Sequence, residues 1–167
     1  RYSVEVQGLA RAAKARSSAF VSASSTVAGT TLTLGRNGES WDIDIADGST
    51  LEEAAQAIRD SGAPVSAAVV SDGTSSYLSL TTTETGHEIG GDPADALSVQ
   101  ETITGAGGQA LGLAITTVAE NAHVLVDGLA VESASNVITD ALPGVTLELT
   151  ATSGGPEELV LARDLDG

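Results

Sequence analysis

Alternating apolar and polar residues recur along this chain of 167 residues, and the pattern predicts β-strands with one buried face. The clearest case is residues 124–131, in which two short apolar runs flank the pair Asp127-Gly128. An Asp-Gly pair tolerates the positive φ angles of a two-residue turn. The segment therefore predicts a β-hairpin.

Two further strands are predicted after this hairpin. A run of Ser and Asn at residues 133–136 precedes the apolar residues of 137–140, and Pro143-Gly144 marks a turn before residues 145–150. Apolar and polar residues alternate strictly in this last segment. It is expected to bury one face only.

Another hairpin is predicted nearer the N-terminus. Residues 30–34 alternate, Asn37-Gly38 supplies the turn signal, and the apolar side chains of residues 41–45 return on one face. After an intervening helix, residues 65–70 and 77–82 predict a second pair of strands. The order over this part of the chain is then ββαββ.

The single predicted helix covers about residues 50–61. Ser49 or Thr50 can cap its N-terminus, and Glu52 and Glu53 suit the positive end of the helix dipole. A Gly and a Pro follow its last turn and end it. Its apolar side chains share one stripe, which comprises Leu51, Ala54, Ala55 and Ile58.

Weaker patterns predict the secondary structure of the remaining segments. Residues 2–7 alternate and predict a half-buried strand. The Ala-rich residues 9–20 have a composition that favours a helix, but they lack a helical period, and an extended strand is favoured. Residues 84–118 are rich in Gly, and they are expected to run irregularly over the surface.

Composition and charge narrow the classes of partner. The chain has 23 acidic and 7 basic residues and a net charge of −16, while aromatic residues make up 2%. The electric field of this negative charge repels phosphate backbones and anionic membranes. Few aromatic side chains are present to stack on bases or sugars. There are no cysteines, which excludes disulfides and thiolate metal sites. The chain starts at Arg1 without a Met or an apolar leader, which indicates either a processed chain or an internal fragment and favours the fragment.

Residues that could carry chemistry form no convincing constellation. The acidic run Asp42, Asp44 and Asp47 contains Ile43 and Ile45, which indicates a strand with one wet face more than a calcium loop. No Ser lies in a nucleophile elbow. We therefore expect no catalytic, cofactor-binding or metal-binding residues.

The histidines and the glycine run also favour ordinary structural roles. His87 and His123 lack a second metal ligand at a suitable spacing, so both are interpreted as surface residues. The run Gly105-Ala106-Gly107-Gly108 lacks the Lys of a phosphate-binding loop and is interpreted as a flexible loop.

An N-A-x-x-x-V-D-G hairpin, a Ser/Asn run and a P-G-V-T-L-x-L strand follow one another, as residues 121–128, 133–136 and 140–149. This order of segments resembles the flagellar filament cap protein family, also called flagellar hook-associated protein 2. Residues 2–10 are similar to the family's Y-x-V-x-V-x-x-L-A strand, although Gly8 stands where the family often has a polar side chain. Residues 161–164 are similar to the segment before its first long C-terminal helix.

The central residues 28–90 resemble the hook-type insert of this family, while residues 91–118 match no part of it. The resemblance implies a mainly β (α+β) fold of antiparallel sheets or sandwiches in two small head domains. Residues 1–26 and 117–167 would form the inner head domain, and residues 27–116 an outer domain inserted into it.

The function that the resemblance implies is structural. Cap proteins sit at the distal end of the filament, outside the cell, and promote polymerisation of exported flagellin; export without a cleaved signal peptide is implied as well. The expected partners are further copies of the chain, bound mainly through leg regions outside it, and flagellin, with hook–filament junction proteins and host surface glycans as further candidates. Nucleic acid and membranes are not expected.

An adhesin-type β-module is the alternative. It would bind a host or glycan ligand through the loops at residues 85–95 and 104–112.

Overall fold

Short strands joined by tight turns build most of the computed structural model, which describes residues 1–162. The N-terminal half contains six strands and an α-helix, namely β1 (Tyr2–Gly8), β2 (Lys14–Arg16), β3 (Thr30–Arg36), β4 (Glu39–Ile45), α1 (Leu51–Asp60), β5 (Val65–Ser71) and β6 (Ser76–Thr82). A 3₁₀ turn (Pro93–Ala96) then precedes β7 (Ser98–Ile103), β8 (Ala114–Thr117), β9 (Ala122–Val126), β10 (Leu129–Ser133), β11 (Val137–Leu142), β12 (Val145–Glu148) and β13 (Glu157–Leu159).

These strands form two separately packed groups. In the first group, the sheets β5-β6-β2-β8 and β4-β3-β7 pack with α1 around one apolar cluster, the larger core. In the second, the sheet β10-β9-β1-β13 and the ribbon β11-β12 enclose the smaller core. Every strand pairing within these sheets is antiparallel, which confirms the mainly β class with a single helix in the described residues.

The helix forms where the sequence predicts it. Thr50 is the N-cap: its Oγ1 accepts a hydrogen bond from Glu53 N at 3.1 Å, and the Glu53 carboxylate accepts one from Thr50 N at 2.8 Å. This capping box satisfies two backbone donors at the start of the helix. The apolar stripe lies in the larger core, where Leu51, Ala54, Ala55 and Ile58 are fully buried.

Both predicted Asx-Gly hairpins are confirmed. Asn37 and Gly38 have φ values of 50° and 86° between β3 and β4, and Asp127 and Gly128 have 49° and 81° between β9 and β10. Asn, Asp and Gly occupy this left-handed region at low cost. The local turn residues therefore set the register of both hairpins.

The expectation of irregular structure over residues 84–118 is wrong in part, because β7 and β8 lie within it. β7 pairs with β3 over six residues, with Val99 opposite Leu34, and β8 pairs with β2. Most side chains of β7 and β8 are exposed, so neither strand shows clear apolar alternation. Backbone pairing to a strand distant in sequence forms them, and no local pattern encodes that pairing.

The proposed domain boundaries at residues 26 and 117 stay a prediction. Residues 1–10 and 122–159 contribute to the smaller core. Ala13, Ala15 and Phe20, which lie before residue 26, pack in the larger core instead. In residues 1–162 no helix has the length and apolar character that crossing a bilayer requires.

Candidate functional site

The three acids considered as a calcium site do not converge. Asp42 and Asp44 lie on the solvent face of β4, where they accept hydrogen bonds from Thr33 Oγ1 at 2.7 Å and Thr31 Oγ1 at 2.9 Å. Asp47 lies beyond the end of the strand and has different partners. Residues 1–162 contain no group of three or more His, Cys, Asp or Glu that could hold a metal ion.

Asp47 instead fixes the glycine run at residues 105–108. Its Oδ1 accepts hydrogen bonds from Gly29 N at 2.8 Å and Gly107 N at 2.7 Å. These two amides, that of Gly29 first, lower the pKa of Asp47, because they stabilise the carboxylate. A Cβ at Gly107 would lie 2.6 Å from Asp47 Oδ2, so glycine permits this close approach. The run interpreted from sequence as a flexible loop is packed against a carboxylate.

A second carboxylate holds the other end of this loop. Glu101 on β7 accepts hydrogen bonds from Leu111 N and Gly112 N, each at 2.9 Å, through its two oxygens. The Leu111 side chain is fully buried in the larger core. The loop at residues 104–112, a candidate for ligand binding by sequence, is therefore fixed at both ends.

The other candidate loop begins at the junction between the two packed groups. Asn121 is 3% exposed; its Oδ1 accepts a hydrogen bond from His87 N at 2.8 Å, and its Nδ2 donates one to Glu132 Oε1 at 2.8 Å. Thr85 Oγ1 donates to Ala134 O at 2.7 Å. Buried polar groups need such partners, and here these bonds join the loop to β10 and its end.

Gly86 allows the chain to approach this junction. Its φ is +72°, and a Cβ at this position would lie 2.6 Å from Ala134 Cα. Gly86 N donates a hydrogen bond to Arg11 O at 2.9 Å, and Arg11 N donates to Glu120 O at 2.8 Å. Backbone and side-chain bonds thus fix the two groups to each other.

The two histidines lie on different elements, His123 on β9 and His87 in the loop after β6. His87 lies at the junction through its backbone, and its Nδ1 is 2.9 Å from Glu88 O. His123 is exposed on β9, opposite Gly8 and Glu132. The structure brings neither histidine into a cluster of metal ligands in residues 1–162.

The side chain of Asn136, between β10 and β11, binds the backbone of Ala10, which follows β1. Its Oδ1 accepts a hydrogen bond from Ala10 N at 2.7 Å, and its Nδ2 donates to Ala10 O at 3.0 Å. The side-chain amide therefore pairs with the backbone as a neighbouring strand would. Sequence reasoning missed both Asn121 and Asn136, because a single Asn gives no sign of its partner; their presence in the matched segments was the available signal.

The clefts of the described residues are open to solvent. One, of about 220 Å³, lies between β1, β12 and β13, and its walls include Val4, Val6, Leu147, Leu149 and Leu159. Its ionisable residues are Glu148, Glu157 and Glu158. The residues that line this cleft include no Ser, His, Lys or Arg, so it holds neither a Ser–His pair nor a cationic electrophile.

Comparisons with known proteins agree with this architecture. Residues 119–167 match the family described as "Flagellar hook-associated protein 2 C-terminus". No individually curated protein sequence matches the chain at a significant level.

Solved structures match over nearly the whole chain. The D2–D3 domains of the flagellar cap protein FliD from Escherichia coli align with a TM-score of 0.77 and 26% identity, covering 93% of this chain and 84% of that one. FliD (HAP2) from Pseudomonas aeruginosa PAO1 aligns with a TM-score of 0.79 and 26% identity, covering 98% and 80%.

The longer D1–D2–D3 structure of the Escherichia coli protein shows how much of the cap protein this chain spans. It aligns with a TM-score of 0.77 and 27% identity over 93% of this chain, which spans 49% of that structure. The resemblance to the flagellar filament cap protein family is confirmed: this chain has the FliD D2–D3 fold, and its C-terminal part matches the hook-associated protein 2 family.

Proposed function

We propose that this chain is the head region of a bacterial flagellar filament cap, located outside the cell at the filament tip, where it promotes polymerisation of exported flagellin. The observation that carries the proposal is the match to solved structures of the flagellar cap protein FliD over 93–98% of the chain. The family match to residues 119–167 supports it independently of the fold.

The contribution of the head is mechanical. A cap must keep its shape while subunits are inserted beneath it, and the hydrogen bonds of Asn121 and Asn136 hold the strands of this chain together at its junction and at its ends. Flagellin and further copies of the chain are the proposed partners. The proposed role requires no catalytic residue and no cofactor.

The alternative of an adhesin module has less support. Ligand sites are lined mainly by hydrophobic and aromatic side chains, but the loops at residues 85–95 and 104–112 contain no Phe, Tyr or Trp. We propose assembly and not adhesion as the function.

The test is deletion of the gene in the bacterium that encodes the chain. We expect short or missing filaments in electron micrographs and monomeric flagellin in the medium, since uncapped subunits diffuse away. Reintroducing the gene should restore both. Filaments of normal length with no free flagellin would contradict the proposed function.

A pair of variants links this result to the head itself. Val124 is 1% exposed in the smaller core, whereas His123, its neighbour on β9, is exposed. Burying an unpaired carboxylate is costly, so Val124→Asp should fail to restore filaments at wild-type protein levels, and His123→Asp should restore them. Equal rescue by both variants would show that the folded head is dispensable.

A further inference from the structure

The turn between β3 and β4 contains a chemically labile pair, Asn37 and Gly38. Asn is among the thermolabile residues of proteins. Its side chain can lose the amide group when the backbone nitrogen of the next residue attacks the side-chain carbonyl carbon, and a following Gly hinders this attack least. Both residues are exposed, and a Cβ at Gly38 would meet nothing within 4 Å. Solvent therefore has free access to the reacting atoms.

Both reacting groups are free of hydrogen bonds within residues 1–162. Arg36 pairs with Glu39, so Asn37 and Gly38 form the two-residue loop, and the N–H of Gly38 lies outside the ladder of the hairpin. Asn37 makes one hydrogen bond, from its backbone N to Asp95 O at 2.8 Å, which leaves its side-chain amide unbonded. The side chain is therefore free to rotate towards the nitrogen that attacks it.

The chain's two other asparagines are protected from the same reaction. Asn121 is buried, and both polar atoms of its side chain are hydrogen-bonded. Asn136 likewise uses both polar atoms of its amide, in two bonds to backbone groups. They are followed by Ala122 and Val137, whose side chains crowd the attacking nitrogen. The structure thus singles out one of three asparagines.

The Asp-Gly pairs of residues 1–162 are protected in a different way. Asp47, Asp72 and Asp127 each precede a Gly, and each carboxylate accepts a hydrogen bond from a backbone N–H group distant from that Gly or beyond it. The amide of Gly29 lowers the pKa of Asp47, and that of Ser75 lowers the pKa of Asp72. These acids stay ionised, and a carboxylate anion resists attack by a nitrogen atom.

We propose that Asn37 is a site of spontaneous deamidation. Gly38 N loses its proton and attacks Asn37 Cγ; the new N–Cγ bond closes a succinimide ring, the Cγ–Nδ2 bond breaks, and the nitrogen leaves as ammonia with the proton. Water then opens the ring at either carbonyl. Cleavage between Gly38 N and Cγ gives aspartate, and cleavage between Gly38 N and the backbone carbonyl carbon of Asn37 gives isoaspartate. Each product carries a carboxylate where the amide was neutral.

The two products differ in their effect on the fold. Aspartate keeps the turn, because Asp127 adopts a φ of 49° at the same position of the other Asx-Gly hairpin. Isoaspartate adds a methylene carbon to the main chain, so the loop no longer matches the pairing of Arg36 with Glu39 and moves Asn37 N away from Asp95 O. That hydrogen bond joins the hairpin to the 3₁₀ turn before β7, so the isoaspartyl form is expected to be less stable.

The test follows the purified 167-residue chain during prolonged incubation in mildly alkaline buffer. Isoelectric focusing measures the added negative charge, and a purified isoaspartyl methyltransferase with a labelled methyl donor measures isoaspartate. We expect the wild type to accumulate both, and faster as the pH rises, because the attacking nitrogen must lose its proton. Asn37→Gly should abolish both signals, since Gly keeps a turn of this type. Asn37→Asp should focus from the start with the acidic form.

Several results would overturn the proposal. A wild type that keeps its isoelectric point, an acidic form that accumulates equally in Asn37→Gly, or a charge shift without any isoaspartate would each do so. Thermal unfolding of the separated forms tests the structural consequence. The isoaspartyl form should unfold at a lower temperature than the wild type and Asn37→Asp, and equal unfolding temperatures would contradict the loss of the turn. None of these measurements depends on the proposed cap function.

Discussion

The larger core packs mostly segments that are close in sequence, whereas the smaller core joins segments from the two ends of the chain. Most of the larger core comes from residues 30–82, where each strand or helix packs close to its sequence neighbour. The smaller core needs β1 between β9 and β13, so that Val4 pairs with Val126 and with Glu157. Closing such long loops costs entropy before any contact forms.

The two cores also differ in size. The described residues bury twenty-one apolar side chains in the larger core and seven in the smaller. Burial of apolar area is the main stabilising term in folding. The comparison teaches that the larger core contributes more apolar burial, and therefore more of the stability, than the smaller core.

The largest expected effect comes from truncating the larger core. Leu80 is fully buried, so Leu80→Ala should lower the free energy of unfolding by about 2–5 kcal/mol. Urea unfolding followed by circular dichroism measures this loss. Ile138→Ala in the smaller core should lie at the lower end of that range, because its two-stranded ribbon can relax around the cavity. A clearly larger loss of unfolding free energy for Ile138→Ala than for Leu80→Ala would contradict the ranking of the two cores.

Removing the junction amide should separate the two cores. Asn121→Ala leaves the amide of His87 and the Glu132 carboxylate without their partner, at a cost of about 1–3 kcal/mol. We expect thermal unfolding to split into two steps in calorimetry. His87→Ala is the control, because the bond to Asn121 comes from the backbone of residue 87; a single sharp transition in Asn121→Ala would show that the cores are coupled elsewhere.

The helix cap should have a smaller effect, confined to the larger core. Thr50→Ala removes the side-chain acceptor for Glu53 N and should cost about 1 kcal/mol. Ser49→Ala changes the neighbouring hydroxyl, which does not cap the helix, and should stay within about 0.5 kcal/mol. Equal losses in urea unfolding would mean that the capping box contributes nothing measurable.

The smallest effect is limited to acidic solution. The amides of Gly29 and Gly107 lower the pKa of Asp47 in the folded chain, so its contribution to stability is present above the unfolded pKa and is lost as the pH falls through the folded pKa. Asp47→Asn should therefore flatten the loss of stability below about pH 4.

Urea unfolding from pH 2 to pH 7 measures how steeply the free energy of unfolding changes with pH. Gly107→Ala should flatten it as well, because the added Cβ displaces the amide from the carboxylate. Gly154→Ala, where a Cβ meets nothing within 4 Å, serves as the control. An unchanged slope in Asp47→Asn would show that other carboxylates dominate acid unfolding.

Local patterns were enough for the elements whose signals lie within a few residues. Thr50 and Glu53 specify the helix start, and Asn37-Gly38 and Asp127-Gly128 specify two turns, because capping and positive φ are properties of adjacent residues. The surface positions of Asp42 and Asp44 also followed from alternation with buried isoleucines. The order of segments was enough to indicate the family.

The contacts between separate elements needed the third dimension. Asn121 accepts a hydrogen bond from an amide 34 residues away, and Glu101 accepts bonds from amides 10 and 11 residues away. No residue pattern announces such a partner. Lys14, Thr81 and Ser66 lie side by side only because their three strands pair in this register.

The sequence by itself determined the helix, the two Asx-Gly turns, the strands with clear alternation and the strong negative charge, because each depends on neighbouring residues or on the sum of the charges; β7 and β8 are not among those strands. The tertiary structure decided which strands share a sheet and which loops are fixed. The physical reason is that packing and hydrogen bonding act through space: Lys14 and Thr81 become neighbours only after β2 pairs with β6.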